Sequence, residues 1–264
     1  MKLMSPLNIG ALELSHRVIL TFSGYKRTPT RAISRLTTRG GLITLALGKQ
    51  STLRSCAVMV HASGGLLLAR LFLPGVAKYL DQSEIDEALE AYRSVARVAK
   101  AAGCVGVELD AGAGSLPGQF LYPTDIRRAD RYGGDARDRV TFLEEAVYAV
   151  VDVWGADRVG VCISPPGEIW QSDPPELEQM LAVLTMLHDV DLAFAHLKGT
   201  FSNVSMGGAA ALSLRRAFPG MLLVDGDGTL VHAAAAVESR WADGVCVEPS
   251  RLRSTLLEMI RKVG

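Results

Sequence analysis

Eight short apolar runs recur along the chain, and stretches of helical periodicity separate most of them. Residues 84–102, 136–153 and 175–188 place apolar side chains three and four positions apart, as one buried face of a helix requires. Strands that alternate with helices form a parallel sheet whose outside is covered by the crossover helices. The pattern predicts a (β/α)8 TIM barrel. Its predicted strands are residues 17–21, 42–47, 66–73, 104–109, 158–164, 192–197, 221–226 and 243–248.

The connections add detail to this prediction. Residues 50–63 and 204–217 leave room for short helices only, and residues 7–15 favour a small N-terminal β-hairpin that closes the barrel floor. A chain of 264 residues lies within the range that one α/β barrel occupies, so we expect a single domain over residues 1–264.

Charge and composition narrow the class of partner. The 28 basic and 28 acidic residues cancel, which disfavours nucleic acid or an anionic membrane as a partner. No apolar run approaches the roughly 18 residues that span a bilayer, and the four cysteines lack the paired spacing of zinc or redox motifs. We expect a cytoplasmic protein with reduced thiols and a small-molecule substrate, with homo-oligomer formation left open.

Chemistry in such a barrel takes place at the carboxyl ends of the strands, because the loops there converge on one cavity. The polar and aromatic residues at these ends are therefore the candidates for the site. The predicted catalytic residues are Asp110, Arg70, His196 and Lys198, and the predicted substrate-binding residues are Tyr25, Phe72, Ser115, Cys162 and Ser164.

Several of these residues also have a purely structural interpretation. Asp110 could cap a loop through backbone N–H groups or form a salt bridge with Arg70, and His196 could be a hydrogen-bonded core residue. Cys162 and Cys246 are more typical of packed thiols than of nucleophiles, because neither has an evident base.

Two sets of charged residues are given a structural interpretation rather than a functional one. Asp110, Asp225 and Asp227 could be grouped as metal ligands, but they lack nearby His or Cys ligands, so we expect no metal. The alternating Arg and Asp residues of 127–139 are typical of an ion-paired loop.

Four motifs follow one another in the middle of the chain. They are "QFL-P" at 119–123, "R-D-YGG" at 128–134, "R--F" at 139–142 and "SP" at 164–165. In this order they resemble the old yellow enzymes, a family of FMN-dependent ene-reductases on a (β/α)8 barrel. The resemblance runs nearly end to end, although this chain is shorter than members of that family, with the missing length near residues 48–60 and after the third predicted strand.

The resemblance breaks down at the family's working positions. The donor pair that holds the substrate carbonyl in the family is replaced by Asp110 and Ala113, and an ionised carboxylate cannot donate. The proton-donating tyrosine of many members is replaced by Ser115, a far weaker acid. The arginine of the fifth barrel strand is Cys162, and the glutamine of the third is Arg70.

The positions that hold the flavin phosphate in the family also differ. Its Gly-Arg pair is replaced by Glu248 and Pro249, and its Gly-Gly pair by Gly226 and Asp227, while the "PMT" after the first strand reads "FSG" at 22–24. Charge-assisted bonds contribute roughly 1.5–3 kcal/mol each, so such losses would weaken FMN binding by orders of magnitude. These differences lead to the expectation that the protein uses no cofactor.

We therefore expect a flavin-independent, non-redox enzyme. It would isomerise or cyclise a conjugated, apolar, polyketide-like substrate of natural-product biosynthesis, in a pericyclic step or by polarising one carbonyl. The alternatives are an atypical FMN-dependent ene-reductase that uses NADPH and an enone, and a catalytically silent barrel that binds a ligand or a protein.

Overall fold

A computed structural model confirms the predicted barrel. Eight parallel strands close into a barrel in which every strand pairs with its neighbours in sequence and the last strand returns to the first. The structure describes residues 1–22, 33, 36–46, 50–75, 77, 80–112, 114–122, 128–164, 174–199 and 209–263, with the side chains of 174–176 left out. All eight predicted strands are present at their expected places in the chain.

The barrel strands are four to seven residues long, typical of strands buried on both faces. They are β3 (Val18–Phe22), β4 (Leu42–Ala46), β5 (Leu66–Leu71), β6 (Gly106–Gly112), β7 (Val159–Ser164), β8 (Phe194–Leu197), β9 (Leu222–Asp225) and β10 (Gly244–Val247).

Helices follow the strands and cover the outside of the barrel. The short helix expected within 50–63 is present, whereas the region 204–217 is described only from residue 209 onward. The helices are α1 (Gln50–Ala62), α2 (Gln82–Ala101), α3 (Leu116–Leu121), α4 (Thr141–Trp154), α5 (Pro174–Asp189), α6 (Ala209–Ala217), α7 (Leu230–Glu238) and α8 (Ser254–Val263). Among them, none combines the length and the apolar character that crossing a bilayer requires.

The predicted N-terminal hairpin closes the floor of the barrel. Strands β1 (Leu7–Ile9) and β2 (Leu12–Leu14) pair antiparallel, and their apolar side chains are buried while those between them are exposed. Gly10 turns the hairpin with φ of +54°, and a side chain there would collide with the backbone carbonyl of Asp157.

The barrel interior has an apolar lower layer and a polar upper one. In the lower layer Ile19, Leu42, Leu68, Phe194 and Leu223 pack against the hairpin. Alternate residues of a strand share a face, so the residue two positions further on also points inward. This places a buried polar layer directly above, made of Thr21, Thr44, Arg70, Glu108, Cys162 and His196. Barrel interiors are dominated by branched apolar residues, so this polar layer marks the site.

Candidate active site

A small cavity opens above the polar layer at the carboxyl ends of the strands. Its volume is about 80 Å³, which corresponds to two or three water molecules at roughly 30 Å³ each. Of the described residues predicted for the site, Arg70 and Lys198 line it. The lining is completed by Thr21, Asp225, Gly226, Cys246, Glu248 and Arg251.

Arg70 is held in the polar layer by a buried ion pair. Its Nε donates to Oε2 of Glu108 at 2.7 Å, and both side chains are at most 3% exposed. The two residues are direct neighbours across the β5–β6 pairing, which sets this short distance. The Nη2 atom of Arg70 is buried and has no hydrogen-bond partner among the described residues. Among the described residues this nitrogen is thus an unsatisfied buried donor.

His196 extends the ion pair across the barrel. Its Nδ1 lies 2.8 Å from Oε1 of Glu108, and its Nε2 lies 3.0 Å from Oδ1 of Asp225. The other carboxylate oxygen of Asp225 accepts the backbone N–H of Gly199 at 3.2 Å, on the loop that follows β8. Arg70, Glu108, His196 and Asp225 therefore form one chain of alternating charge, which we call the buried ion chain.

Electrostatics keep this chain charged. Burial alone raises the pKa of Glu108, but the charges of Arg70 and His196 outweigh burial and lower this pKa to about 2. Burial disfavours the imidazolium of His196, yet the Glu108 carboxylate and the hydrogen bond to Asp225 raise its pKa well above the ordinary value. Because burial raises the pKa of the Cys246 thiol, we assign the stabilising negative charge at neutral pH to the carboxylates.

The pKa of Arg70 follows the same balance. Burial lowers it, and the Glu108 carboxylate more than compensates, so the pKa of Arg70 lies well above its ordinary value. An isolated buried charge is costly, so each member of the chain depends on its neighbours.

Asp110 does not form the salt bridge that the sequence suggested. Its Oδ1 accepts the backbone N–H of Gly112 at 2.9 Å, which is the loop-capping arrangement. Ser115 bonds to the other side of the same residue, because its hydroxyl donates to the carbonyl of Gly112 at 2.7 Å and accepts the N–H of Gly118 at 3.2 Å. The partner of Arg70 is Glu108 instead, whose side chain projects from the neighbouring position of the adjacent strand.

The other predicted residues lie around this centre. Cys162 is fully buried and pairs in register with both Asp110 and His196, so these three residues come together as expected. Ser164 and Phe72 lie at or just beyond the ends of their strands and are partly buried. Tyr25 lies outside the described residues.

Sequence reasoning missed Glu108, the central residue of the chain. It was counted as part of an apolar run, although an acid in the middle of a buried strand, two positions before Asp110, shares the inward direction of Asp110. That two-residue spacing was the signal that could have found it. Arg251, which lines the cavity three residues after Glu248, was also missed.

A group with metal-ligand chemistry also lies in this layer. Ligand atoms of Glu108, Cys162 and His196 are within 4.8 Å of one another, and all three residues are buried. However, Glu108 is bonded to Arg70 and His196, and both ring nitrogens of His196 have carboxylate partners. Hydrogen bonds within the protein therefore occupy the carboxylate oxygens of Glu108 and the ring nitrogens of His196.

The arginine-rich loop is ion-paired in part, as its alternating charges predict. Arg128 pairs with Asp130 and donates to the backbone carbonyls of Ala77 and Leu80, which joins this loop to the segment after β5. Arg131 pairs with Glu145 of α4. Within the described residues this loop braces the barrel rim.

Comparison with known proteins defines the class. Residues 54–198, more than half of the chain, match the family model described as NADH:flavin oxidoreductase / NADH oxidase. The chain belongs to this family, and the resemblance to old yellow enzymes is confirmed.

Individual relatives agree with the family match. The chain is 32% identical over 214 residues to 12-oxophytodienoate reductase 7 of Oryza sativa subsp. japonica, covering 69% of this chain and 54% of that protein. It is 35% identical over 164 residues to the Leishmania infantum protein named "Probable flavin mononucleotide-dependent alkene reductase", covering 61% of this chain and 44% of that protein. The matched regions thus span about half the length of these relatives.

A solved structure supports the fold. Morphinone reductase superposes with a TM-score of 0.85 at 23% identity, over 98% of this chain and 89% of that one. At this level of identity the comparison shows the shared fold and nothing finer. The superposition covers nearly the whole of this chain.

The expectation that the protein uses no cofactor is contradicted by these findings. The matching family consists of flavin oxidoreductases, and one of the relatives is named for its flavin mononucleotide. The prediction weighed each altered family position on its own, whereas the cavity as a whole has a cationic lining. Arg70, Lys198 and Arg251 all line it, facing Asp225 and Glu248.

Proposed function

We propose that this protein is an FMN-dependent oxidoreductase of the ene-reductase type, which uses a reduced nicotinamide nucleotide to reduce the C=C bond of an enone. The observation that carries the proposal is the set of cationic residues, Arg70, Lys198 and Arg251, that line the cavity at the carboxyl ends of the strands. Family membership supplies the reaction class.

The described residues fit the chemical groups of FMN. The ring of FMN carries carbonyl oxygens along one edge, and its side chain ends in a phosphate. Arg70 lines the cavity and its guanidinium suits a carbonyl oxygen, and Arg251 offers a cation for an anionic group. When bound, FMN would supply the hydride-transfer chemistry.

Lys198 is the candidate for substrate binding and carbonyl polarisation. It follows directly after β8, lines the cavity and is partly buried. Arg70 is committed to Glu108 on one side, and His196 is fully buried with both nitrogens bonded. A cation beside an enone oxygen favours the charge that develops there during reduction.

Asp110 and Ser115 take a positioning role in this proposal. Asp110 accepts the backbone N–H of Gly112, and the Ser115 hydroxyl donates a hydrogen bond to the carbonyl of Gly112. They therefore fix the end of β6 at the rim of the site, and the Ser115 hydroxyl is not the proton donor.

The first experiment is reconstitution with FMN. Purified protein is titrated with FMN while flavin fluorescence and visible absorbance are recorded, and we expect a stoichiometric yellow complex. The complex is then assayed without oxygen for NADPH- or NADH-dependent reduction of 2-cyclohexenone. Absence of a complex at saturating FMN would refute the proposal.

A matched pair of lysine variants tests the assigned role. Lys198→Met removes the cation from the cavity, and a hydrogen bond to a charged group contributes roughly 1.5–3 kcal/mol, so we expect kcat/KM to fall about 10- to 100-fold. Lys262→Met, an exposed lysine of α8, is the control and should leave it unchanged. Equal activity of both variants would remove Lys198 from the mechanism.

A further inference from the structure

We infer that Asp225 is a positioning residue for Lys198. One oxygen of its carboxylate bonds the side chain of His196, and the other bonds the backbone of Gly199. These two partners lie on either side of Lys198 in the chain, so the carboxylate bridge fixes the peptide that carries this lysine. The catalytic consequence rests on the proposed function, in which Lys198 polarises the substrate carbonyl, whereas the bridge is a property of the protein without ligand.

The first support is the place where the ladder between β8 and β9 ends. The last residue pair of this ladder is Leu197 with Val224, one position before Lys198. Asp225 follows Val224 directly, and Oδ2 of its side chain accepts the backbone N–H of Gly199 at 3.2 Å. A side chain thus continues the connection where the backbone ladder stops, and it ties the first loop residues after β8 to β9.

The second support is that the other edge of the same peptide is also held. The backbone N–H of Lys198 donates to the carbonyl of Ile163 on β7 at 2.8 Å. Gly199 has φ of +149°, a conformation that residues with a side chain rarely adopt. The backbone at Lys198 is therefore bonded to β7 on one side and, through Asp225, to β9 on the other.

The third support is that the bridging carboxylate is itself fixed. Oδ1 of Asp225 lies 3.0 Å from Nε2 of His196, which is fully buried. Nδ1 of His196 lies 2.8 Å from Glu108, which is bonded to Arg70. The buried ion chain therefore ends in a backbone bond beside Lys198, and rotation of the Asp225 carboxylate would break contacts at both of its oxygens.

A fixed backbone matters here because lysine carries its charge on a flexible four-carbon stem. Lys198 and Asp225 line the same cavity, so the bridge lies at the site itself. A charge that is oriented before the reaction stabilises the transition state more than the bound substrate. Loosening this peptide should therefore reduce turnover more than it weakens substrate binding.

Site-resolved acylation tests the bridge on the protein without ligand. The protein is treated with a limiting amount of the N-hydroxysuccinimide ester of acetic acid, and peptide mass spectrometry gives the rate at Lys198 relative to exposed Lys262. Asp225→Ala removes both bonds. We expect it to raise the relative rate at least about fivefold, because the partly buried Lys198 becomes more accessible when its peptide is released. An unchanged rate would overturn the bridge.

Two further variants separate the geometry of the bridge from its charge. In Asp225→Asn the amide can accept the N–H of Gly199 and donate to Nε2 of a neutral His196, so we expect a rate within about twofold of wild type. Gly199→Ala keeps the ion chain but disfavours the φ of the bridge, so we expect it to raise the rate as Asp225→Ala does. Equal rates in the Asn and Ala variants of Asp225, or a wild-type rate in Gly199→Ala, would refute the inference.

Asp243 offers a matched control at the opposite end of the barrel, directly before β10. Its carboxylate pairs with Arg215 at 3.0 Å and accepts the backbone N–H of Leu222 at 3.0 Å. Its side chain is 23% exposed, against 27% for Asp225. Asp243→Ala should also lower the melting temperature but leave acylation of Lys198 unchanged. A rise equal to that of Asp225→Ala would indicate general loosening and contradict a specific bridge.

Kinetics of the FMN-loaded enzyme test the consequence for catalysis. With 2-cyclohexenone we expect kcat of Asp225→Ala and Gly199→Ala to fall about tenfold, while KM changes less than about threefold. Wild-type kcat in both variants would overturn the catalytic role even if their acylation rates rise. If the unmodified protein binds no FMN, the proposed function fails, while the acylation rates still decide whether Asp225 holds Lys198.

Discussion

Replacing Glu108 by glutamine is the most direct perturbation of the buried ion chain. Glutamine keeps the shape and one acceptor oxygen but removes the negative charge, so Arg70 is left with an uncompensated buried charge. The other partner of Glu108, His196, still has its hydrogen bond to the carboxylate of Asp225. The expected effect is therefore a loss of charge balance without a cavity.

The magnitude follows from the pKa of Glu108. This pKa falls from 4.5 to about 2 in the folded protein. At about 1.4 kcal/mol for each pH unit, the difference corresponds to about 3 kcal/mol of stability at neutral pH. This value agrees with the roughly 3–5 kcal/mol of stability that proteins generally lose when one partner of a buried ion pair is removed. For a chain of this size we expect Glu108→Gln to lower the melting temperature by roughly 6–12 °C.

The pH dependence adds a second readout with a definite sign. Because the pKa of Glu108 is lower in the folded than in the unfolded state, its stabilisation is complete above pH 4.5 and is lost as the pH falls toward 2. The difference in free energy of unfolding between wild type and variant should shrink over the same interval. Urea denaturation at a series of pH values measures it.

The control is an exposed ion pair. Glu90 of α2 bonds Arg93 and Arg97, and its side chain is 57% exposed. Glu90→Gln should leave the melting temperature unchanged, since exposed pairs contribute little. A loss of less than about 1 kcal/mol for Glu108→Gln, or a similar loss for both variants, would refute the reasoning.

Two further predictions concern residues outside the ion chain. Burial lowers the pKa of His16 to about 4, and its Nδ1 accepts the N–H of Val18. The free energy of unfolding should therefore fall by about 3 kcal/mol as the pH drops from 6.5 through 4. His16→Asn should flatten this part of a profile of melting temperature against pH, and an unchanged profile would contradict the assignment. Ser115→Ala should cost about 1 kcal/mol in urea denaturation because it removes the N-terminal cap of α3. Asp110→Asn keeps an oxygen for the N–H of Gly112 and should cost less, so a larger loss than for Ser115→Ala would argue against simple capping.

The barrel itself could be predicted from local pattern. Apolar runs of strand length alternating with helical periodicity admit few other topologies, and the hairpin could be recognised from alternating residues at 7–14. Candidate site residues could be selected at the strand ends, because all eight parallel strands end at the same rim of the barrel. Arg70 and Lys198 were found in this way and line the cavity.

The pairing of charges depended on the tertiary structure. The two-residue period of a strand predicts that Glu108 and Asp110 point the same way, but not which of them lies level with Arg70. Strand stagger decides this, and it places Glu108 opposite Arg70 and leaves Asp110 to bond its own loop. The cofactor prediction failed for a related reason, because position-by-position comparison cannot show which side chains from different strands line one cavity together.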